Sequence, residues 1–189
     1  VPSTCALGAM HILMGQLSRG KEILELAAKM ARTPSGKPMP IFARVCSTMS
    51  QLYYERNELD AAEQYARQGI ELSRLWGHIE SRASNHLALA RVLIARGNYH
   101  EAHFILNEAE RLVHNLAISS SVLTAITACK VRLWLSAPEP AFEQAIQWLE
   151  QNRLNPDDKP NTNDELERLS IARVWIRQKR FTEADALLE

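Results

Sequence analysis

The sequence predicts an all-α fold, a right-handed superhelical solenoid of antiparallel helix pairs. Three observations lead to this prediction. Ala, Leu, Glu, Arg and Gln recur throughout, whereas Gly occurs only 7 times in 189 residues, and such a composition favours helices because these side chains lose little entropy there. One turn pattern recurs about every 40 residues. Apolar residues recur at helical spacing on both sides of the turns.

The repeated pattern is a turn residue, a polar residue, a bulky apolar residue and then a small residue five positions after the turn. Clear copies start at Gly15, Asn57 and Gly97, and weaker copies start at Ser136 and Lys179. The small residues fall at positions 20, 62, 102, 141 and 184, so successive copies are 42, 40, 39 and 43 residues apart. A period of this length indicates stacked helix pairs and not one globular core.

Each unit is expected to contain two helices, and the turn residue lets the chain reverse between them. In the second unit Met49 and Leu52 precede the turn, and Leu59 and Ala62 follow it, at spacings that place them on one face of each helix. The expected helices span 3–14, 18–32, 40–56, 59–76, 78–96, 99–116, 119–136, 139–153, 164–179 and 181–189. The units cover approximately 1–33, 39–77, 78–117, 118–154 and 163–189 of a single domain, which we interpret as a fragment of a longer chain.

Prolines interrupt the pattern at three places. The segments from Thr33 to Pro38 and from Asn155 to Asn161 contain prolines that exclude helix, so they are expected to be loops between units. The segment from Ser136 to Pro140 carries two prolines and lacks a glycine. The register of the fourth unit therefore stays open.

The charge balance and the cysteines limit the function classes. Lys plus Arg and Asp plus Glu each number 22, so the chain lacks the basic surplus of a protein that contacts nucleic acid directly. Cys5, Cys46 and Cys129 are too few for a disulfide framework. We expect them to pack as small apolar residues in the reducing cytoplasm. No apolar run is long enough for a membrane span, and no signal peptide is evident.

One stretch is specific enough to indicate a family. Residues 53–63 read Tyr-Tyr-Glu-Arg-Asn-Glu-Leu-Asp-Ala-Ala-Glu, and Gly69 to Leu72 and Trp76-Gly77 follow. This stretch resembles a signature of the large ATP-binding LuxR-type transcription regulators, the MalT-like group. Residues 89–97 and 172–176 look like the repeats that follow it, within a generic tetratricopeptide (TPR) pattern. The resemblance covers the chain from about residue 41 onward.

The resemblance implies a modular parent protein. Members of this group carry an amino-terminal P-loop ATPase, a central helical-repeat sensor and a carboxy-terminal helix-turn-helix, and this sequence looks like the central part. It contains no Gly-rich loop ending in Gly-Lys-Ser/Thr, so no cofactor is expected in this segment and ATP belongs to a separate module of the parent. For the repeats, membership implies binding of an inducer and self-association.

The candidate binding site is the groove lined by the first helix of each unit. The residues six positions before each turn are Gln51, Arg91, Lys130 and Arg173. The neighbouring groove positions are Arg44, Tyr54, Glu55, Trp134 and Arg177. Cations beside aromatic faces suit an anionic or sugar-like ligand, or an acidic partner segment. The alternative is that these are solvated side chains whose stems cover the helix surface, with Glu55 paired locally.

Other candidate sites have structural explanations. His100 and His103 have the spacing of a metal pair but no full ligand set, so no metal is expected. His11 occupies the position of Tyr53 and Leu93 in other units, which predicts a packed core histidine. The carboxylates beside arginines are expected to form surface ion pairs, and they are Glu108 and Glu110 with Arg111, and Asp164, Glu165 and Glu167 with Arg168.

These observations favour a binding module over an enzyme, because no nucleophile and base stand together. The first hypothesis is a signal-sensing and oligomerisation domain of a LuxR-type regulator that binds a small-molecule inducer or a protein partner in its groove. The alternative is a generic TPR-type adaptor that docks a peptide.

Overall fold

The computed structural model describes residues 1–77, 79–114, 120–138, 141–151 and 165–189. Within these ranges the chain forms ten helices and no regular strand. They are α1 (Pro2–Leu13), α2 (Leu17–Met30), α3 (Phe42–Glu55), α4 (Leu59–Trp76), α5 (Ile79–Ala95), α6 (Tyr99–His114), α7 (Ser120–Ser136), α8 (Ala141–Gln151), α9 (Glu165–Arg177) and α10 (Phe181–Leu188). The all-α prediction is confirmed, and each observed helix begins and ends within two residues of its predicted bounds.

The turns between paired helices share one backbone geometry. The turn residues Gly15, Asn57, Gly97 and Lys179 have φ angles of 72°, 58°, 75° and 64°, in the left-handed region that ends many helices. In each turn the next backbone N–H donates to a carbonyl five residues earlier, for example from Glu58 to Tyr53 at 2.8 Å. Asn57 and Lys179 adopt this conformation without being glycine, so the repeated pattern and not the glycine marks the turn.

The fourth turn differs, as its prolines indicate. Ser136 ends α7 without a positive φ angle, and the N–H of Ala141 reaches the carbonyl of Pro138 at 3.5 Å. Glu139 and Pro140 lie outside the described residues, as does the predicted loop from Asn155 to Asn161. The loop from Thr33 to Pro38 is described, and the N–H of Thr33 donates to the carbonyl of Lys37 at 2.8 Å.

The small residues of the pattern lie where paired helices meet. Ala62, Ala102 and Ala184 are buried at the start of α4, α6 and α10. At Gly20 of α2, an added Cβ would lie 3.2 Å from Ile12 and 3.3 Å from the carbonyl oxygen of Gly8 on α1. These close approaches explain why the pattern requires a small side chain at this point.

The apolar core runs along the array as three clusters. The first contains Leu24, Phe42 and Met49 of α2 and α3. The second joins α4 to α7 and includes Leu93 and Leu106. The third joins α7 to α10, and its buried members are Val131, Ala145, Leu149, Ile171 and Val174. Each cluster links neighbouring helix pairs, which is the packing of a stacked repeat.

The odd-numbered helices form the inner face of the array. In the described part of the chain α1 contacts α3, α3 contacts α5, α5 contacts α7 and α7 contacts α9, whereas the even-numbered helices make no such contacts with one another. The odd helices therefore lie closer together, and the stack curves around them. This concave side, formed by α3, α5, α7 and α9, is called the groove below.

A buried asparagine ties three helices together beneath the groove. The Asn85 side-chain nitrogen on α5 donates to the carbonyl of Ala43 on α3 at 2.9 Å and to that of Ser81 at 2.7 Å. Gly69 of α4 packs directly against the same side-chain amide. This polar contact fixes α3, α4 and α5 relative to one another.

The prediction that His11 is a core residue is wrong. His11 is half-buried, and its Nδ1 lies 2.6 Å from the Gln16 side-chain oxygen across the turn. Its neighbour Ile12 is the buried residue at this end of α1. At the edge of the first unit, the polar ring of His11 can form a hydrogen bond. Tyr53 and Leu93, at the equivalent positions of later units, have apolar neighbours instead.

Candidate functional site

A pocket of about 300 Å³ opens in the groove between α3 and α5. It brings together three residues of the predicted groove: Gln51 and Tyr54 from α3 and Arg91 from α5. Leu87 and Ala88 supply an apolar part of the wall. Gln51 and Arg91 stand six residues before their turns, and the stacking of equivalent helices places them on opposite walls of one pocket.

Hydroxyl groups make up much of the remaining wall, from Ser47, Thr48 and Ser50 on α3 and Ser84 on α5. Ser47 and Thr48 both donate to the carbonyl of Arg44, at 2.9 and 3.3 Å. The Ser50 hydroxyl is buried and has no hydrogen-bond partner in the described part of the chain. A buried unpaired hydroxyl is costly, so Ser50 leaves hydrogen-bonding capacity open at the pocket.

Three arginines on successive odd helices lie along the groove. The Arg132 guanidinium of α7 lies 6.0 Å from the Tyr54 ring centroid. Burial, together with the charges of Arg132 and Arg91, lowers the pKa of Arg173 on α9. None of the three arginines forms an ion pair with a described residue. Although the net charge of the chain is zero, these three arginines therefore have no described carboxylate within ion-pair distance.

Arg132 occupies the groove position at which the repeat register predicted Lys130. The Lys130 ammonium bonds the Glu110 carboxylate of α6 at 2.7 Å, and its side chain is only 15% exposed. Because the turn after Ser136 is irregular, the groove position on α7 lies at residue 132, two residues after the position that the register predicts. A signal was nevertheless present, since α7 carries two cations in positions 130–132, one of which packs toward α6 and the other into the groove.

The other predicted groove residues lie outside the pocket. On α3, Arg44 and Glu55 are exposed. At the end of α9, the Arg177 guanidinium lies 5.8 Å from the Phe142 ring centroid. Trp134 packs against the third core cluster, and its indole nitrogen is buried without a partner among the described residues. The pocket thus collects Gln51, Tyr54 and Arg91 but not the whole predicted set.

The cysteines are buried and free, as predicted. Burial raises the pKa of Cys46 to about 12 and that of Cys129 to about 11. Burial also raises the pKa of Cys5. Thiols with such pKa values remain protonated near neutral pH, which is the opposite of an activated nucleophile.

The polar clusters away from the groove make ordinary surface contacts. Arg111 pairs with Glu108 as predicted, whereas Glu110 pairs with Lys130 of α7 and not with Arg111. Arg168 donates to the carbonyl of Leu187 at 2.9 Å, and Asp164 lies outside the described residues. Over the described ranges, no group of three or more His, Cys, Asp or Glu side chains is arranged to hold a metal ion.

Comparison with known families adds the decisive observation. The family model described as the MalT-like TPR region matches residues 1–189. The chain belongs to the MalT-like TPR family. The predicted family is thereby confirmed, and the stacked helix pairs described above are the repeats of this family. A repeat region of this kind is a non-catalytic type of domain.

The MalT-like chain is distantly similar to whole transcription regulators. It is 27% identical over 183 residues to the HTH-type transcriptional regulator MalT of Yersinia pestis (strain Pestoides F) and to that of Yersinia pseudotuberculosis serotype O:1b (strain IP 31758). The protein of the same name from Yersinia enterocolitica serotype O:8 / biotype 1B is also 27% identical. The alignment covers 94% of this chain but only 19% of each relative.

Among the described residues, no helix of the MalT-like chain combines the length and the apolar character that a membrane span requires.

Proposed function

We propose that these MalT-like repeats are the signal-sensing and protein-interaction domain of a LuxR-type transcription regulator, and that an inducer or a partner binds in the groove. The observation that supports this proposal most directly is the α3–α5 pocket. Gln51, Tyr54 and Arg91 come from two neighbouring units and face one cavity. A ligand there touches both units and is therefore sensitive to their relative position.

That sensitivity supplies a mechanism for signalling. A ligand shifts an equilibrium only if it binds one arrangement better than another. Since each unit of a solenoid contacts only its neighbours, a ligand that bridges α3 and α5 favours one curvature of the array. A change in curvature alters the surfaces that the array offers for self-association. We further propose that residues 1–189 act as one repeat domain of a cytoplasmic parent, without direct contact to nucleic acid and with ATP bound on another module.

The proposal is tested by ligand screening of the 189-residue chain. Thermal-shift measurements with a panel of metabolites are expected to identify compounds that raise the melting temperature. The double variant Gln51→Ala/Tyr54→Ala should remove that rise, whereas Gln64→Ala, on the exposed face of α4, should leave it intact. Light scattering with and without the compound then measures self-association. Rises that persist in the pocket variant would contradict binding at this site.

The alternative function is a TPR-type adaptor that docks a peptide in the groove. The support for it is that TPR repeats are protein-interaction modules, and that the groove continues beyond the pocket along α7 and α9. Two results together would favour the adaptor. Affinity capture would yield a protein that the Gln51→Ala/Tyr54→Ala variant does not bind, and no compound would shift the melting temperature. Sequencing the parent reading frame distinguishes the two as well, because the regulator requires a P-loop and a helix-turn-helix in the same chain.

A further inference from the structure

We propose that the α3–α5 pocket binds a small hydroxylated anion, that is, a polyhydroxy molecule bearing a carboxylate or a phosphate. The anionic group would lie at Arg91 and Arg132, and the hydroxyl groups would lie against the serine-rich wall of α3. This inference names the ligand class for the proposed function and rests on it. It is supported by the size of the pocket, its uncompensated charge and its unpaired hydroxyl.

The size of the pocket favours a small molecule. Its volume of about 300 Å³ lies between two helices of neighbouring units and is at the lower end of the range for small-molecule sites. An extended or helical peptide requires a longer surface. A compound of the size of a modified monosaccharide matches the cavity.

The charge of the pocket favours an anion. Arg91 forms part of its wall, and Arg132 lies 6.0 Å from the ring of Tyr54, another wall residue. Neither arginine forms an ion pair among the described residues, whereas Arg67 and Arg96 on other surfaces bond carboxylates. Guanidinium groups bind carboxylate and phosphate oxygens through paired hydrogen bonds. An anionic group in the pocket, beside Arg91 and Arg132, would neutralise both charges.

The hydroxyl wall favours a ligand that also donates hydrogen bonds. The hydroxyl protons of Ser47 and Thr48 are engaged by the carbonyl of Arg44, so their oxygens remain as acceptors. These acceptors suit the hydroxyl groups of a ligand and not its anionic oxygens. Ser50, with a fully buried and unpaired hydroxyl on the same wall, would gain a partner. Tyr54 offers an aromatic face of the kind on which a sugar ring can pack.

Calorimetry on the 189-residue chain provides the test. Three probes share a six-carbon polyol skeleton and differ in charge, namely glucose 6-phosphate, gluconate and glucose. We expect at least one of the two anions to bind, more weakly as salt is added, and glucose not to bind. Arg91→Ala should weaken the binding by about tenfold or more. Ser50→Ala should weaken it less, because it removes a neutral hydrogen bond.

Arg19→Ala is the matched control, since it removes one positive charge from the exposed face of α2. Circular dichroism establishes that each variant is folded. The inference is overturned if neither anion binds, or if Arg91→Ala and Arg19→Ala have equal effects. Tight binding of glucose that Gln51→Ala/Tyr54→Ala abolishes and Arg91→Ala does not would retain the groove function but overturn the anionic class. Binding of a polyglutamate peptide without binding of the small anions would also overturn it, in favour of an acidic protein partner.

Discussion

Gly69 of α4 and Asn85 of α5 are packed so closely that a Cβ atom added at residue 69 would lie 1.9 Å from the Asn85 side-chain oxygen. The Asn85 side-chain nitrogen meanwhile holds the carbonyls of Ala43 and Ser81, so the amide is not free to rotate away. The contact lies next to the helices that form the pocket. Glycine is therefore required here for space, and not for backbone conformation.

Gly69→Ala is expected to destabilise the chain by about 1–3 kcal/mol, which is the usual cost of overpacking. The sign of this change in stability is informative, because alanine in a helix interior is ordinarily more favourable than glycine by about 1 kcal/mol. Urea denaturation followed by circular dichroism measures the effect. A gain in the free energy of unfolding would show that Asn85 can move and that the contact is loose.

A double-mutant cycle tests whether the Asn85 side chain is the reason why residue 69 must be glycine. Asn85→Ala alone should cost about 1–2 kcal/mol, because it removes two hydrogen bonds from a buried side chain. In the Asn85→Ala background, Gly69→Ala should no longer destabilise the chain, since the clashing oxygen is absent. Additive effects of the two substitutions would place the origin of the Gly69 requirement elsewhere.

Ala102→Arg is expected to unfold the third helix pair. Ala102 is completely buried at the start of α6, so a guanidinium there would be desolvated and would force α5 and α6 apart. Losses beyond about 4 kcal/mol are typical of such buried charges. The matched control is Ala186→Arg on the exposed face of α10, which should change stability by less than about 0.5 kcal/mol. Thermal melts of the two variants make the comparison, and similar melting temperatures would contradict the packing.

The cysteines provide a readout of the fold. Burial raises the pKa of Cys46 to about 12 from an ordinary value of 9.0, so we expect iodoacetamide at mildly alkaline pH to label Cys46 and Cys129 only after denaturation. The raised pKa also sets a pH dependence. The stabilising contribution of the thiol is complete below pH 9.0 and is lost as the pH rises toward about 12, because the unfolded thiol ionises first. Mass spectrometry of native and urea-treated protein measures the labelling, and fast native labelling would contradict the burial.

Lys130 is expected to stabilise the array without contributing to the pocket. Its ion pair with Glu110 is shielded on the lysine side, so Lys130→Ala should lower the free energy of unfolding by about 1 kcal/mol. Lys21→Ala is the control, because Lys21 makes a more exposed pair with Glu25 at 4.0 Å, and its loss should be close to neutral. Any ligand that Arg91→Ala weakens should bind Lys130→Ala normally. A matching loss of affinity in both variants would mean that Lys130 belongs to the groove after all.

Much of the fold was predictable because it depends on local and periodic features. The turns at Asn57 and Gly97 follow from residues that accept positive φ, and the burial of Ala62 and Ala102 follows from their fixed distance to those turns. The two pocket residues six positions before these turns, Gln51 and Arg91, follow from the same register. The prediction lost accuracy where the local pattern weakened, at the proline-rich turn after Ser136.

The helix pairs, their order and their family could be predicted from the sequence, because helix formation and turn geometry depend on neighbours within a few residues. Which side chains share a space depends instead on how the helices pack. The pairing of Lys130 with Glu110, the approach of Arg132 to Tyr54 and the unpaired hydroxyl of Ser50 all depend on contacts between units. Residues some 20 to 80 positions apart meet there, and the rotation of α7 relative to α5 and α6 that brings them together is set by packing, which no local pattern encodes.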